Sequence, residues 1–386
     1  MRIIWFLKAA WDKAPDRTTW VEMSRHLAHN GHIVEIVTTY DKHKGPTYDN
    51  VTIHFLRSIR IRFVRTITFT VAAFCHLYFS LRKSRYDVVI LDGYTWYLSI
   101  FIDLLAKIGI RVPRTILDFR TTLHGFSGSE TSIYDKALKI NTISALWYNR
   151  LFQSGLSAIV PALLDEFKRL GARTDGRTCV WSSGVDTKVF TPSEEEHTWD
   201  DRPVTFIYHG VFGGNRGLLE SIDGFASAKK QGLQFRYVLL GSGPIGEVIR
   251  GRVKSNDLEG SVEFMEEVPH SSVPNILRRT DVGVMVYPNI NYWRFNHPIK
   301  LCEYLASGLP VLVTDTAVFD FVAEKDERCL VRVKDNSPSS IAEGIRWCIT
   351  HQNYLRSIGR EGRNIVIARF TWKKQAEVLE KFITSI

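Results

Sequence analysis

Short apolar runs rich in Val, Ile, Leu and Phe alternate with helical patterns from one end of this chain to the other, and that alternation leaves few fold classes open. In the first half the runs fall at residues 2–7, 33–38, 51–56, 88–91, 115–119 and 158–160. In the second half they fall at 205–209, 235–240, 262–264, 282–286 and 311–313. Strand-length runs separated by helix-length segments are the pattern of parallel sheets covered by helices. A chain of 386 residues is too long for one ordinary core, so two domains of roughly 180 residues are expected. Residues 191–203 are polar, acidic and bounded by Pro192 and Pro203, which makes them the linker.

With 45% hydrophobic and 24% charged residues the composition is that of a globular protein. Cys75, Cys179, Cys302, Cys329 and Cys348 are odd in number, scattered and without Cys-x-x-Cys spacing. Neither a disulfide framework nor a zinc site is suggested, and a reducing cytoplasm fits best. The chain begins directly in a strand-like run with no leader pattern, so a cytoplasmic location is expected.

The net charge of +9 is unevenly placed. Residues 51–86 contain no Asp or Glu, yet Arg57, Arg60, Arg62, Arg65, Arg82, Lys83 and Arg85 fall there. Between Arg65 and Arg82 lies an uncharged stretch that carries His76 and is shorter than the roughly 20 apolar residues needed to span a bilayer. It reads either as a basic, aromatic helix lying on an anionic membrane surface or as a core helix with solvated basic ends. In the first case each Lys or Arg near anionic lipid contributes about 1 kcal/mol. No recognition motif accompanies the charge, so nucleic acid is not an expected partner.

Residues 297–315 carry the densest chemistry. Pro298 suits the first turn of a helix, Leu301, Tyr304 and Leu305 share a face, Gly308 suits a left-handed cap, and Pro310 prevents continuation. A short helix therefore feeds a buried strand. Its amino end, near Pro298 and Ile299, offers unpaired N–H groups and the positive end of the dipole, and Lys300 adds a full charge. An anionic ligand belongs there, with Glu303 accepting hydrogen bonds from its hydroxyls. A second Gly-rich turn, Gly210 to Gly217, follows a strand and opens a helix, so Gly213 and Gly214 let backbone approach a phosphate that Arg216 can clamp. No Asp-x-Asp pair is placed to hold a metal, and no metal or other cofactor is expected.

Pro298, Lys300, Glu303, Tyr304, Ala306, Gly308, Pro310 and Val311 together resemble the nucleotide-sugar signature of GT-B glycosyltransferases of the family 4 type. The resemblance continues in family order through residues 1–7, 27–38, the Gly184-Val185-Asp186 segment, Gly241-Ser242-Gly243-Pro244 and Phe370-Thr371-Trp372. It implies an α/β fold of the GT-B type, with two Rossmann-like domains facing each other across a cleft. The acceptor-binding domain would occupy 1–192, the linker 193–203 and the nucleotide-sugar domain 204–369, with a closing helix over 370–386 packing back towards the first domain. It also implies a retaining transfer of a sugar from a nucleotide-sugar donor, UDP-linked in preference to GDP-linked, to a hydroxyl of a glycolipid or surface-polysaccharide intermediate. Peripheral binding to the inner face of the plasma membrane would suit such an acceptor. A soluble transferase acting on a small-molecule acceptor, and a non-catalytic nucleotide-sugar-binding relative, stay open as alternatives.

On this resemblance the donor site comprises Gly213, Gly214, Arg216, Gly243, Val268, His297, Pro298, Ile299, Lys300 and Glu303, with Arg216, Lys300 and His124 catalytic. Asp16, Arg17 and Arg120 are the acceptor candidates. Two departures from the family pattern stand out: Val211 occupies the place of one of the usual two cations, and Phe295 that of the first Glu of Glu-x7-Glu.

Overall fold

The structure is a computed structural model that describes residues 1–11, 17–39, 48, 51–57, 62–120, 133–152, 154–194, 202–323 and 328–386. Two compact units emerge. The first joins the N-terminal part of the chain, through Ser183, to its last stretch, Trp372–Ile386; Gly184–Thr371 build the second. The division thus falls at Gly184, ahead of the acidic linker, and the C-terminal residues belong to unit 1.

Unit 1 is a seven-stranded sheet of order β3-β2-β1-β4-β5-β6-β7. Its strands are β1 (Arg2–Ala10), β2 (Ile33–Thr39), β3 (Thr52–Leu56), β4 (Val88–Asp92), β5 (Arg114–Phe119), β6 (Gly155–Ala158) and β7 (Thr178–Val180). Every pairing is parallel, with Trp5 of β1 opposite Ile36 on one side and Ile90 on the other. Parallel strands buried on both faces need apolar residues at successive positions, and Ile3, Ile4, Trp5, Phe6 and Leu7 all lie fully buried. One face of β1 packs on Trp20 and Leu27 of α1 (Arg17–His29) and on Leu379 and Ile383 of α14 (Trp372–Ser385).

Unit 2 repeats the scheme with six parallel strands in the order β10-β9-β8-β11-β12-β13. They are β8 (Val204–His209), β9 (Phe235–Leu240), β10 (Val262–Met265), β11 (Val282–Met285), β12 (Val311–Thr314) and β13 (Leu330–Val333). Along β8, Phe206 and Tyr208 enter one core cluster while Ile207 enters the other, the period-two alternation of a strand covered on both sides.

One strand expectation needs correction, and two strands, β7 and β13, were not expected from the sequence. Of the run at 158–160 only Ala158 belongs to β6, which spans Gly155–Ala158 and stops there because Val160 already caps the helix opened by Pro161. Strand β7 is only three residues long, too short for any periodicity to show. In β13 the apolar pattern is interrupted by Arg332, which pairs with Asp320 at 2.9 Å.

Candidate donor-binding site

Helix α10 (Ile299–Ala306) starts after an extended Pro298 and is closed by Gly308 at φ +74°. Its buried face is anchored by Tyr304, whose hydroxyl accepts from the His209 backbone N–H at 3.0 Å and donates to the Ile207 carbonyl at 3.3 Å. The Tyr304 ring lies so close over Gly283 of β11 that an added Cβ would sit 2.7 Å from it. These contacts set the amino end of α10 beside the carboxyl end of β8, where open parallel sheets bind their ligands.

Glu303 is buried at that point. One carboxylate oxygen accepts a 2.8 Å hydrogen bond from His270 Nε2, and the other lies 3.3 Å from His209 Nε2. Burial pushes the Glu303 carboxyl up, but the His270 hydrogen bond, with His209, His270 and Lys300 beside it, holds it below the ordinary range. His270 is raised in return, chiefly by that same bond. Desolvation drives the enclosed His209 down to about 4, so it is neutral at physiological pH.

Lys300 crosses the end of β8. Gly210 has φ +109°, and a Cβ there would lie 2.3 Å from the Lys300 Cε, so the glycine is required both by its backbone and by the lysine stem. Burial and the neighbouring charge of Arg216 lower the Lys300 ammonium to about 8. Arg216 is itself fixed. It donates to the Tyr287 hydroxyl at 3.2 Å and sits 5.0 Å over the Trp293 ring, while Trp293 Nε1 donates to the Asn215 carbonyl at 2.7 Å. Gly217, at φ +69°, opens α6 (Leu218–Lys230) where a Cβ would run into the Val286 carbonyl. The glycine loops meet backbone to backbone, since a Cβ on Gly243 would be 2.5 Å from the Phe212 carbonyl oxygen. Two cations, an open helix end and a buried ionised carboxylate form a site for an anion that also carries hydroxyls.

The sequence model for glycosyl transferases group 1 matches residues 189–365, and that for glycosyltransferase family 4 matches residues 17–189. The chain belongs to the family 4 GT-B glycosyltransferases. The chain is 25% identical over 201 residues to WcaL, named as a colanic acid biosynthesis glycosyltransferase of Escherichia coli; the match covers 51% of the chain and 48% of that relative. It is also 27% identical over 125 residues to the glycosyltransferase YtcC of Bacillus subtilis, covering 32% of the chain and 29% of the relative. The matched stretches therefore span about half or less of these relatives. In fold it is similar to sucrose-phosphate synthase of Thermosynechococcus elongatus, with a TM-score of 0.78 at 16% identity over 99% of the chain and 98% of the neighbour. It is likewise similar to Anabaena HepE in complex with UDP and glucose, with a TM-score of 0.73 at 13% identity over the whole of both chains.

Unit 2 brings Arg216, Lys300, Pro298, Ile299 and Glu303 into one neighbourhood. Gly213 and Gly214 lie on the same loop as Arg216. Val268 packs at the margin of the unit 2 core. His297 turns inward, its ring stacked on Phe370 at 5.5 Å and its Nε2 3.7 Å from Cys302 Sγ. Phe295 is buried at 3% exposure and Val211 is exposed, so neither supplies the missing charge. In unit 1, Arg17 is exposed at the start of α1. Arg120 is buried 3.9 Å over the Trp181 ring and donates to the Trp181 carbonyl and to Ser183 Oγ. Asp16 and His124 lie outside the described residues.

Two residues of the site escaped sequence reasoning, His209 and His270, whereas Tyr287 and Trp293 fall in the aromatic, Asn-rich loop 287–296 that the resemblance sets around the sugar. A signal existed for His209, a polar residue closing an otherwise apolar strand just before Gly210. For His270, which is far from Glu303 in sequence, there was none.

Proposed function

We propose that this glycosyltransferase moves a sugar from a UDP-sugar, with retention at the anomeric carbon, to a hydroxyl of a glycolipid or surface-polysaccharide intermediate at the inner face of an anionic membrane. The observation that carries the donor half is the convergence of Lys300 and Arg216 beside the amino end of α10, next to the ionised Glu303. A departing nucleoside diphosphate gains negative charge in the transition state. Two fixed cations and a helix end answer that charge without reorganising. Glu303, oriented by His270, accepts the ribose hydroxyls. No side chain is assigned as nucleophile: the acceptor hydroxyl approaches on the face that the leaving group vacates, and a phosphate oxygen takes its proton.

UDP is favoured because the fold neighbour HepE is described in complex with UDP and with UDP-glucose. The acceptor class is favoured by the colanic acid relative and by the fold neighbour WaaG, described as involved in lipopolysaccharide biosynthesis. The test is nucleoside diphosphate release by the purified protein from a panel of UDP- and GDP-sugars with membrane lipid extract, with mass spectrometry and NMR of the product. Release from UDP-sugars and a retained anomeric configuration in a lipid-linked product support the proposal. Release from GDP-sugars alone overturns the base, an inverted product overturns retention, and transfer only to water-soluble saccharides overturns the lipid acceptor.

A further inference from the structure

Three helices of unit 1 lie side by side: α2 (Arg62–Lys83), α3 (Leu98–Lys107) and α4 (Ile133–Phe152). Phe74 of α2 meets Phe101 of α3 edge-on at 5.3 Å. Trp96, just before α3, donates to Asn141 of α4 at 3.0 Å, and the Lys107 ammonium stands 6.0 Å over the Phe152 ring. Each helix buries an inner stripe, represented by Leu77, Ile102 and Leu146.

Each also carries an apolar stripe outward. On α2, Ile67, Val71 and Phe79 recur at multiples of four, the last 66% exposed. On α3 and the residue after it, Ile100, Leu104 and Ile108 do the same, the last 73% exposed. On α4, Ile140, Trp147 and Leu151 follow at spacings of seven and four, which also keep to one helix face, with Trp147 63% and Leu151 67% exposed. Scattered single apolar residues are ordinary on a surface, but helices with apolar residues on both sides need something to cover the second.

The charges say what covers it. The three helices hold eight Lys and Arg against two Asp and no Glu. Arg82 and Lys83 end α2, Lys107 ends α3, and Arg150 stands in the last turn of α4, so cations stand at the carboxyl end of each helix that carries an apolar stripe. Past the end of α2 the cations continue into a groove bordered by Arg85 and Arg111. A second copy of the chain meeting this face across a two-fold axis would set these cations against each other. Among the described residues no helix is long and apolar enough to cross a membrane.

We propose that α2, α3 and α4 form the surface on which unit 1 docks on an anionic bilayer, with the outward apolar side chains at the headgroup–acyl boundary and the cations of the helix carboxyl ends on lipid phosphates. The sequence placed membrane contact within residues 51–86 alone; the structure adds α3 and α4, which contribute most of the exposed large apolar side chains. This assignment rests on the membrane part of the proposed function and is independent of the donor chemistry.

Sedimentation of the full chain with phosphatidylglycerol-containing and with pure phosphatidylcholine vesicles tests it, alongside donor hydrolysis and light scattering without lipid. The parent should bind the anionic vesicles, be released by salt, and bind the neutral ones poorly. Trp147→Ser with Leu151→Ser, and separately Lys107→Gln with Arg150→Gln, should each lower the bound fraction about tenfold at unchanged melting temperature and donor hydrolysis. Parent protein that ignores anionic vesicles, or apolar-face variants that bind as the parent does, overturn the docking surface while a hydrolysed donor leaves the catalytic reading standing. A lipid-free dimer broken by the same substitutions also overturns it, in favour of a second copy. Vesicle binding lost in the variants of a parent that hydrolyses no donor supports the surface and removes the catalytic reading alone.

Discussion

Asp118 in unit 1 and Glu303 in unit 2 are both buried carboxylates, yet they answer burial in opposite directions. Asp118 lies within β5, where Ser157 and the Trp181 indole donate to one of its oxygens at 2.6 and 3.0 Å. Burial lifts its carboxyl to about 6, more than Arg120 and the two neutral donors can offset, and Asp92 adds to the rise. Glu303 meets a similar desolvation but faces His270, His209 and Lys300, and it stays below the ordinary carboxylate range. A carboxylate drifting towards neutrality serves the interior of its own unit. One kept ionised by several surrounding groups is held ready for a partner.

The largest expected effect tests the Asp118 half of this contrast. Its folded pKa, about 6, exceeds the ordinary 3.8, so proton uptake favours the folded state and stability is gained as pH falls through 6 towards 4. The stability of the parent relative to Asp118→Asn should therefore rise by up to about 3 kcal/mol between pH 7 and pH 4. Denaturant titrations of both proteins across that range measure it, and a difference that stays flat with pH would break the comparison.

Lys300→Ala and Arg216→Ala come next. Each should weaken UDP binding by about 1.5 to 3 kcal/mol, the value of a charge-assisted hydrogen bond, without lowering the melting temperature. Calorimetric titration showing the parent affinity in both variants would remove the phosphate clamp.

Glu303→Gln sharpens the comparison by ligand, because its contact is to ribose. It should cost UDP affinity by about 1 kcal/mol more than it costs pyrophosphate affinity. Equal losses for the two ligands would place Glu303 on the diphosphate instead.

The smallest effect is one of pH. The Lys300 ammonium, lowered to about 8, loses its proton as pH rises through that value, so UDP affinity should fall a few-fold, on the order of 1 kcal/mol, between pH 7 and 9.5. Lys300→Arg should flatten the curve, since a guanidinium stays charged there. An unchanged slope in that variant would assign the titration to another group.

The amino-acid sequence by itself determined whatever is local in the chain. The Pro298 to Pro310 signals define α10 because capping, periodicity and breaking act within a few residues, and the apolar runs define most strands for the same reason. Two Rossmann-like units follow from that pattern of alternating strands and helices, with no long-range contact needed to infer them. Only the tertiary structure decided the rest. His270 reaches Glu303 across 33 residues, and the Gly210 backbone makes room for Lys300 across 90. Arg120 settles on Trp181 inside unit 1, and α3 and α4 line up with α2 into one outward face. Burial, and the charges that oppose it, are set by neighbours distant in sequence, so the ionisation of Glu303, Lys300 and Asp118 is a property of the packed sheets and not of any segment within them.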